Sequence, residues 1–224
     1  MSQSFELVQT EQGLALVWQQ AQPAMQPLLV DFHEGKVAYR AQHSSLKSEA
    51  ITKAVGVSGK FHPAVIDATA GLARDALVLA RFGCPVALIE RHPMVRELLA
   101  DALSRAQQKD DVIGEAARQM QLLKQTHVAQ LPDNSTDVVY LDPMFPKTGK
   151  QKALVKKDMQ MFQQLVGSDD DADQLLAPAQ RVARFRVVVK RPNSAPFLAG
   201  SKPSTQLKSK KHRFDIYIKQ GFPN

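Results

Sequence analysis

The sequence predicts an α/β fold with a mostly parallel sheet, and three observations indicate it. Short apolar strands alternate with helical segments from residue 63 onward. Acidic residues follow several of these strands. The last two strands are about 20 residues apart, with no helical pattern between them. Alternating strands and helices form a parallel sheet covered on both faces, whereas the last pair suits an antiparallel C-terminal edge.

Residues 1–47 are predicted to form a small β-rich N-terminal extension. The runs LALVWQ and PLLVDFHEGKVAYR are typical of strands, and His33-Glu34-Gly35 is predicted to be the turn of a hairpin. The segment SEAITKAVGV then predicts a short helix that ends near Gly56. The main domain is therefore expected over residues 48–224.

The elements of the main domain are mostly alternating strands and helices. Strands are predicted at residues 64–70, 85–90, 120–124, 137–142, 186–191 and 212–219. Helices are predicted at residues 74–83, 93–106, 111–118, 154–166 and 173–185. In such sheets ligands bind beyond the C-terminal ends of the strands, so the residues that follow each strand are candidates for a site.

The composition excludes several classes of protein. The hydrophobic content of 44% is ordinary for a globular protein, and no run reaches the ~18 apolar residues of a membrane span. The single Cys84 excludes an internal disulfide, and the six histidines lack metal-ligand spacing. With no signal peptide in the sequence, we expect a cytoplasmic monomer without metal or membrane partners.

The charge is distributed unevenly along the chain. Residues 1–141 contain 13 Lys and Arg against 15 Asp and Glu, whereas residues 142–224 contain 16 against 7, so the net charge changes from −2 to +9. A one-sided basic surface favours a nucleic acid partner, although a solvated lysine surface is an alternative. The predicted RNA contacts are Lys147, Lys150, Lys156, Lys157, Lys190, Arg191, Lys210, Lys211 and Arg213.

Two carboxylates follow neighbouring strands at the start of the main domain. Asp67 ends the first strand, and Glu90 ends the second strand 23 residues later. A dinucleotide fold places a ribose-binding acid at about this interval. However, the loop ATAGLARD contains only Gly71, too few glycines for a pyrophosphate. The pattern favours S-adenosylmethionine, which has adenosine and a charged tail but no phosphate.

Simpler explanations stay open for these residues. Asp67 can cap the following turn. Arg74 and Asp75 can be an ordinary first-turn pair of a helix. Glu90 and Arg91 can lie in a solvent-facing loop.

The strand within DVVYLDPMFPK leads into an unusual loop. An amine on a nucleic acid base is a poor nucleophile because its lone pair is delocalised into the ring. Asp142 and neighbouring backbone carbonyls can accept both amine hydrogens, while Pro143 keeps the loop rigid. Phe145 can stack on a base turned out of its helix. A rigid turn with a core phenylalanine is the alternative.

Five blocks of this sequence, in order, closely resemble the RsmJ family: VIDATAGLARDALVLARFGCPVALIER, VVYLDPMFP, ALVKKDMQMFQQLVG, VVVKRP and HRFDIY. The resemblance extends from about residue 50 to the C-terminus. It implies a Rossmann-like class I methyltransferase fold with a seven-stranded sheet. It also implies S-adenosylmethionine-dependent methylation of the 2-amino group of one guanine in small-subunit (16S) ribosomal RNA.

The resemblance also implies roles for individual residues. Arg74-Asp75 and Glu90-Arg91 match two cofactor pairs, and Asp142 matches an aspartate near cofactor and substrate. The family's third pair is two serines, where this sequence has Thr126 and His127. Two other functions stay open from the residues alone: methylation of an amine in DNA or transfer RNA, and RNA binding in ribosome assembly without catalysis.

Overall fold

The computed structural model of the protein describes residues 4–21, 23–144, 157–210 and 212–223. In these ranges the strands are β1 (Phe5–Thr10), β2 (Gly13–Trp18), β3 (Leu28–Leu29), β4 (Val65–Asp67), β5 (Val86–Leu88), β6 (Met120–Leu122), β7 (Thr136–Leu141), β8 (Ala183–Pro192), β9 (Thr205–Lys208) and β10 (His212–Ile218). The helices are α1 (Gly35–His43), α2 (Ala50–Val55), α3 (Arg74–Arg81), α4 (Pro93–Gln107), α5 (Val112–Arg118), α6 (Lys157–Val166) and α7 (Leu176–Val182).

The main sheet has seven strands in the order β6-β5-β4-β7-β8-β10-β9. The pairs from β6 to β8 are all parallel, and β10 is antiparallel to both of its neighbours. The predicted mostly parallel sheet with an antiparallel C-terminal edge is therefore confirmed. Because β4 lies between β5 and β7, the residues that follow these three strands lie side by side.

Both faces of this sheet are buried, as a parallel sheet requires. Along β7, Val138 and Tyr140 pack on the face covered by α1 to α5, whereas Val139 and Leu141 pack on the face covered by α7. All four side chains are at most 1% exposed. Successive side chains of a strand point to opposite faces, so the continuous apolar run in the sequence reflects two cores.

The prediction for the second half of the N-terminal extension is wrong. β1, β2 and β3 do form a small antiparallel sheet, but residues 35–43 form helix α1 and not the returning strand of a hairpin. Ala38 and Ala41 are buried three residues apart, which is the spacing of one helix face. The sequence predicted a strand over VAYR, but four residues are too few to distinguish the helical period from the strand period.

Two boundaries in the C-terminal half also differ from the prediction. The helix expected to reach residue 185 ends at Val182, and β8 begins at once with Ala183. β9 was not predicted, because its sequence TQLK lies at the sheet edge, where most of its side chains are exposed and polar.

The small N-terminal sheet is fixed to the main domain by polar contacts. Arg105 in α4 pairs with Asp31 and donates a hydrogen bond to the carbonyl of Val30 at 2.5 Å. His33 Nε2 lies 3.1 Å from the carboxylate of Asp111, which also caps α5. In the described ranges, no helix has the length and apolar character needed to cross a membrane.

Candidate active site

A cavity of about 760 Å³ opens at the C-terminal ends of β4, β5, β7 and β8. This volume is within the usual range for a small-molecule site. All nine predicted cofactor-binding residues line the cavity, together with the predicted catalytic Pro143: Asp67, Gly71, Arg74, Asp75, Glu90, Arg91, Thr126, His127 and Asp142. Phe145, the third predicted catalytic residue, lies outside the described residues.

The loop between β4 and α3 is shaped by two residues in left-handed conformations. Gly71 has φ +51°, and Ala73, directly before α3, has φ +52°. Such a φ is strained for a residue with a Cβ atom, and strain of this kind concentrates at functional sites. The conformation turns the N–H of Gly71 toward Glu90, whose Oε2 accepts its hydrogen bond at 2.9 Å.

Glu90 is therefore held by backbone amides. Its Oε1 accepts a second hydrogen bond from the N–H of His92 at 2.8 Å, and the residue is only 6% exposed. No cationic side chain is needed to fix it in the cavity wall. Each carboxylate oxygen still has lone pairs that can accept hydrogen bonds from a ligand's hydroxyl groups.

Asp67 is the most deeply buried acid of the cavity. Burial raises its pKa to about 8, even though the N–H of Thr69 donates a hydrogen bond to Oδ1 at 3.2 Å. The negative charges of Asp75, Asp142 and Glu90 raise the pKa further. Near neutral pH Asp67 is therefore largely protonated.

The loops after β4 and β7 are joined by Thr69. Its side-chain oxygen accepts a hydrogen bond from the N–H of Asp142 at 2.6 Å. Asp169 accepts a hydrogen bond from the N–H of Met144, so the loop that begins at Asp142 is held at both ends of its described part. The Asp142 carboxylate thereby has a defined position at the end of β7.

The side chain of Asp75 is enclosed by three hydrogen-bond donors. Arg40 Nη1 donates to Oδ1 at 2.6 Å, while Lys190 Nζ and the Tyr140 hydroxyl donate to Oδ2 at 2.8 and 2.7 Å. Burial alone would raise the pKa of Asp75, but the charges of Lys190 and Arg40 outweigh it and hold the pKa well below its usual range. Asp75 is therefore ionised.

Lys190 joins Asp75 to Asp142. Its Nζ lies 2.8 Å from Asp75 Oδ2 and 2.9 Å from Asp142 Oδ2. Burial alone would lower the pKa of Lys190, but the two carboxylates outweigh it and raise the pKa above its usual range. The Asp142 side chain is 40% exposed in the cavity, but the desolvation of its carboxylate still raises its pKa, and the Lys190 charge opposes that shift.

The remaining predicted cofactor residues occupy the rim of the cavity. Arg91 forms ion pairs with Asp169 and Asp171, so its guanidinium joins the end of β5 to the acidic segment before α7. Thr126 and His127 directly precede a short 3₁₀ turn, and Oε1 of Gln130 in that turn accepts hydrogen bonds from both of their backbone amides. Their side chains therefore border the cavity on a locally capped loop.

Helix α6 contributes apolar side chains to the cavity. Met159, Phe162 and Val166 line it, and Phe162 packs beside Gly71, where a Cβ atom would be 3.4 Å from the ring. These side chains exclude water from one side of the site. The sequence predicted α6 but gave no reason to place it here, because α6 follows residues 145–156, which lie outside the described part of the chain.

The basic residues predicted to contact RNA fall into three groups. Lys210 is exposed. Lys190 is paired in the cavity, Arg191 is 5% exposed, and Arg213 is 4% exposed. The others lie outside the described residues or, for Lys157, have no described side chain: Lys147, Lys150, Lys156, Lys157 and Lys211.

The placement of Arg213 contradicts its predicted contact with RNA. Its guanidinium pairs with the buried Asp215 at 2.9 Å and donates to the carbonyls of Pro192, Asn193 and Ala195. A buried cation with these partners shapes the loop after β8 and cannot reach a phosphate. Arg191 likewise donates to the carbonyl of Pro196, and burial lowers its pKa.

Several residues of the cavity were missed by sequence reasoning, among them Arg40, Tyr140 and His212. Arg40 enters from α1, Tyr140 from β7 and His212 from β10. A signal existed for Tyr140, because it precedes Asp142 by two residues and so lies on the same side of the strand. His212 belongs to the block HRFDIY, which is part of the family resemblance, whereas the sequence contains no comparable local signal for Arg40.

These residues fit an adenosine ligand with a cationic tail. Glu90 offers carboxylate oxygens for ribose hydroxyls, and the acids at the ends of β4 and β7 suit a positive charge. Gly71 allows close approach of the backbone. Among the described residues, no group of three or more His, Cys, Asp or Glu side chains is placed to hold a metal ion.

Comparisons with known proteins agree with this fit. A family model described as "Putative SAM-dependent methyltransferase" matches residues 1–219. The chain is 63% identical over 220 residues to ribosomal RNA small subunit methyltransferase J of Idiomarina loihiensis, covering 97% of this chain and 84% of the relative. It is 52% identical over 215 residues to the protein of that name in Haemophilus influenzae strain PittGG, covering 95% and 82%.

A solved structure gives the same result for the fold. The crystal structure of a SAM-dependent methyltransferase from Neisseria gonorrhoeae matches with a TM-score of 0.76 and 34% sequence identity, covering 100% of this chain and 86% of that chain. The match includes the N-terminal residues, for which the sequence motifs gave little resemblance.

Proposed function

Since the chain belongs to the ribosomal RNA small subunit methyltransferase J family of S-adenosylmethionine-dependent methyltransferases, we propose that it methylates the 2-amino group of one guanine in 16S ribosomal RNA. The names of the relatives supply the substrate class. The observation that favours transfer to an amine is Asp142, whose carboxylate lies at the end of β7 beside the cofactor cavity.

The cofactor supplies an electrophilic methyl group on a sulfonium. Glu90 accepts hydrogen bonds from the ribose hydroxyls, held in place by the amides of Gly71 and His92. Asp67, Arg74, Arg91, Thr126 and His127 complete the proposed contacts around it. The apolar side chains of α6 exclude water from this side of the cavity.

Asp142 prepares the amine of the guanine. Its carboxylate accepts one amine hydrogen, and a backbone carbonyl of the loop that contains Pro143 accepts the other. The nitrogen lone pair is then turned toward the methyl group, so that proximity and orientation supply most of the rate enhancement. As the new N–C bond forms, the bond between the methyl carbon and the sulfonium sulfur would break, and its electron pair would stay on a neutral thioether. The nitrogen then loses one proton, which Asp142 can accept. Phe145 is proposed to stack on the flipped guanine.

Lysines of the C-terminal half are proposed to contact the phosphates. Lys210 is exposed, and the segment with Lys147, Lys150, Lys156 and Lys157 follows the loop of Asp142 directly in the sequence. Lys211 belongs to the same proposed surface. We further propose a cytoplasmic monomer, with an N-terminal extension over residues 1–47 and a methyltransferase domain over residues 48–224.

Methyl transfer to purified substrates tests this function. The protein is incubated with labelled S-adenosylmethionine and with undermodified small subunits, their free RNA, transfer RNA or DNA. We expect label in the small-subunit RNA and, after digestion, in a single N2-methylguanine. Label in transfer RNA or DNA alone would identify another nucleic acid methyltransferase. Cofactor binding without any transfer would indicate an assembly factor.

A further inference from the structure

Lys190 was predicted to contact a phosphate, but its surroundings indicate a different role. Its ammonium group has three hydrogens, and two carboxylates already lie within 2.9 Å of it. The side chain is only 25% exposed. A lysine that contacts phosphates usually remains free in solution to meet them, whereas Lys190 is already bound.

Lys190 is itself held by a chain of charges that begins in the N-terminal region. Arg40 in α1 is anchored by Glu49, with hydrogen bonds of 3.0 and 2.7 Å. Arg40 then fixes Oδ1 of Asp75, and Asp75 Oδ2 accepts from Lys190. Each member has a partner on either side, so the position of Lys190 is determined from both directions.

Lys190 contacts only one oxygen of Asp142. The hydrogen bond goes to Oδ2, and Oδ1 accepts no hydrogen bond from the residues that the structure describes. This side chain is 40% exposed and lines the cavity. Among the described residues, one oxygen is thus fixed by a donor and the other is not.

We propose that Lys190 is a positioning residue for methyl transfer: it fixes Oδ2 of Asp142, keeps the carboxylate negatively charged, and leaves Oδ1 to accept an amine hydrogen. Asp75 and Arg40 hold Lys190 in this place. The proposal rests on the proposed function, because it assigns Asp142 to the amine. It makes helix α1 of the N-terminal region part of the catalytic apparatus.

The charges around Asp142 explain why the cation is needed. The acids facing Asp142 or sharing its cavity wall are Asp75 from α3, Asp67 from β4 and Asp169 from the loop before α7. Tyr140 and His212 line the same cavity, and burial lowers the pKa of His212, so it adds little positive charge. Arg40 and Arg91 pair with Asp75 and Asp169, whereas Lys190 pairs with Asp142 itself. Without Lys190, Asp142 would bind a proton more readily. A protonated carboxyl offers a poorer acceptor to the amine.

Two substitutions of Lys190 test the proposal. Lys190→Met keeps the length of the side chain and removes the charge, whereas Lys190→Arg keeps the charge. We expect Lys190→Met to lower kcat by about 100-fold, with the KM values for RNA and cofactor changed by less than about threefold. Lys190→Arg should stay within about tenfold of the native kcat. Lys109→Met, which removes an exposed lysine after α4, is the control for the loss of one charge.

The pH profile separates positioning from a phosphate contact. In Lys190→Met the acid limb of kcat should move upward by about one pH unit, because Asp142 must lose its proton before it can accept from the amine. Lys190→Arg should leave the limb near its native position. An unmoved limb in Lys190→Met, or an effect confined to the KM for RNA and its salt dependence, would overturn the proposal.

A measurement without substrate keeps this proposal separate from the proposed function. The titration of the Asp142 carboxyl is followed by ¹³C NMR in the native protein and in both variants, with Asp142→Asn to assign its signal. We expect Asp142 to titrate at higher pH in Lys190→Met only. If Asp142 titrates at the same pH in the native protein, Lys190→Met and Lys190→Arg, Lys190 is not a positioning residue for Asp142. This conclusion holds whichever RNA is methylated. If the shift occurs but no RNA is methylated, the proposed function fails alone.

Discussion

The two halves of the cavity hold their carboxylates by different means. At the ends of β4 and β5, Asp67 and Glu90 are bound by backbone amides from residues 2 to 19 positions away. In the other half, Asp142 at the end of β7 and Asp75 in the first turn of α3 are bound by Lys190 and Arg40, which are 35 to 115 residues away in sequence. The first half is built from local loop geometry and the second from long-range ion pairs.

This difference predicts different responses to perturbation. Backbone amides remain whatever side chain is substituted, so the cofactor half depends on the shape of two loops. The partners in the other half are side chains, and the loss of one partner leaves a charge without compensation in a partly buried site. We therefore expect catalysis to be more sensitive than cofactor binding to single substitutions of charged residues.

The largest expected effect is that of Asp142→Ala on methyl transfer. It removes the proposed acceptor of the amine hydrogen, so kcat should fall by about 10³-fold, as for other positioned acid–base groups. Cofactor affinity, measured by calorimetry, should change by less than about tenfold. If the variant keeps the native kcat, another residue prepares the amine. The half of the cavity that contains Asp142 would then not be the catalytic half.

The next effect is the loss of cofactor affinity in Glu90→Ala. This variant loses two charge-assisted hydrogen bonds to the ribose, which corresponds to about 30-fold or more in the dissociation constant. Glu97→Ala, at an exposed position of α4, is the matched control and should bind normally. Unchanged affinity in Glu90→Ala would move the ribose site away from the end of β5.

The smallest effect is a proton released when the cofactor binds. Asp67 has a pKa of about 8 in the cofactor-free protein and is mostly protonated at pH 7. A cationic ligand nearby lowers that pKa, so binding should release up to one proton, and affinity should increase as pH rises toward 8. Calorimetry in buffers of different ionisation enthalpy measures the release. Asp67→Asn should abolish it, and a release that persists in this variant would contradict the assignment.

The same pKa has a consequence for the stability of the cofactor-free protein. The unfolded chain loses the Asp67 proton near the ordinary value of 3.8, whereas the folded protein keeps it until about pH 8. Between these values the folded state binds more protons, so the contribution of Asp67 to the unfolding free energy falls as pH rises. Asp67→Asn should flatten that part of the stability curve in chemical denaturation.

The cofactor half of the site could be predicted from the sequence because its pattern is local. Asp67 and Glu90 each end an apolar strand, and alternating strands and helices bring such ends to one edge of the sheet. Asp142 was found in the same way.

The charge chain could not be predicted, since it requires knowing that α1 packs beside α3. Arg40 lies in a segment whose short apolar pattern suggested a strand, and nothing local distinguishes a lysine in VVVKRP that pairs with acids from one that meets phosphates. Arg213 was assigned to RNA for the same reason. The side chains of Lys190 and Arg213 are enclosed by residues that lie far from them in the sequence.

The charge chain also determines when a newly made chain can become active. Arg40, Asp75, Asp142 and Lys190 leave the translating ribosome in that order, and the chain of ion pairs closes only when β8 has been synthesised and has paired with β7. A polypeptide that stops short of residue 190 lacks the cation beside Asp142, although it already contains every residue of the cofactor half. The catalytic half of the site therefore cannot be assembled until the chain has been synthesised past residue 190.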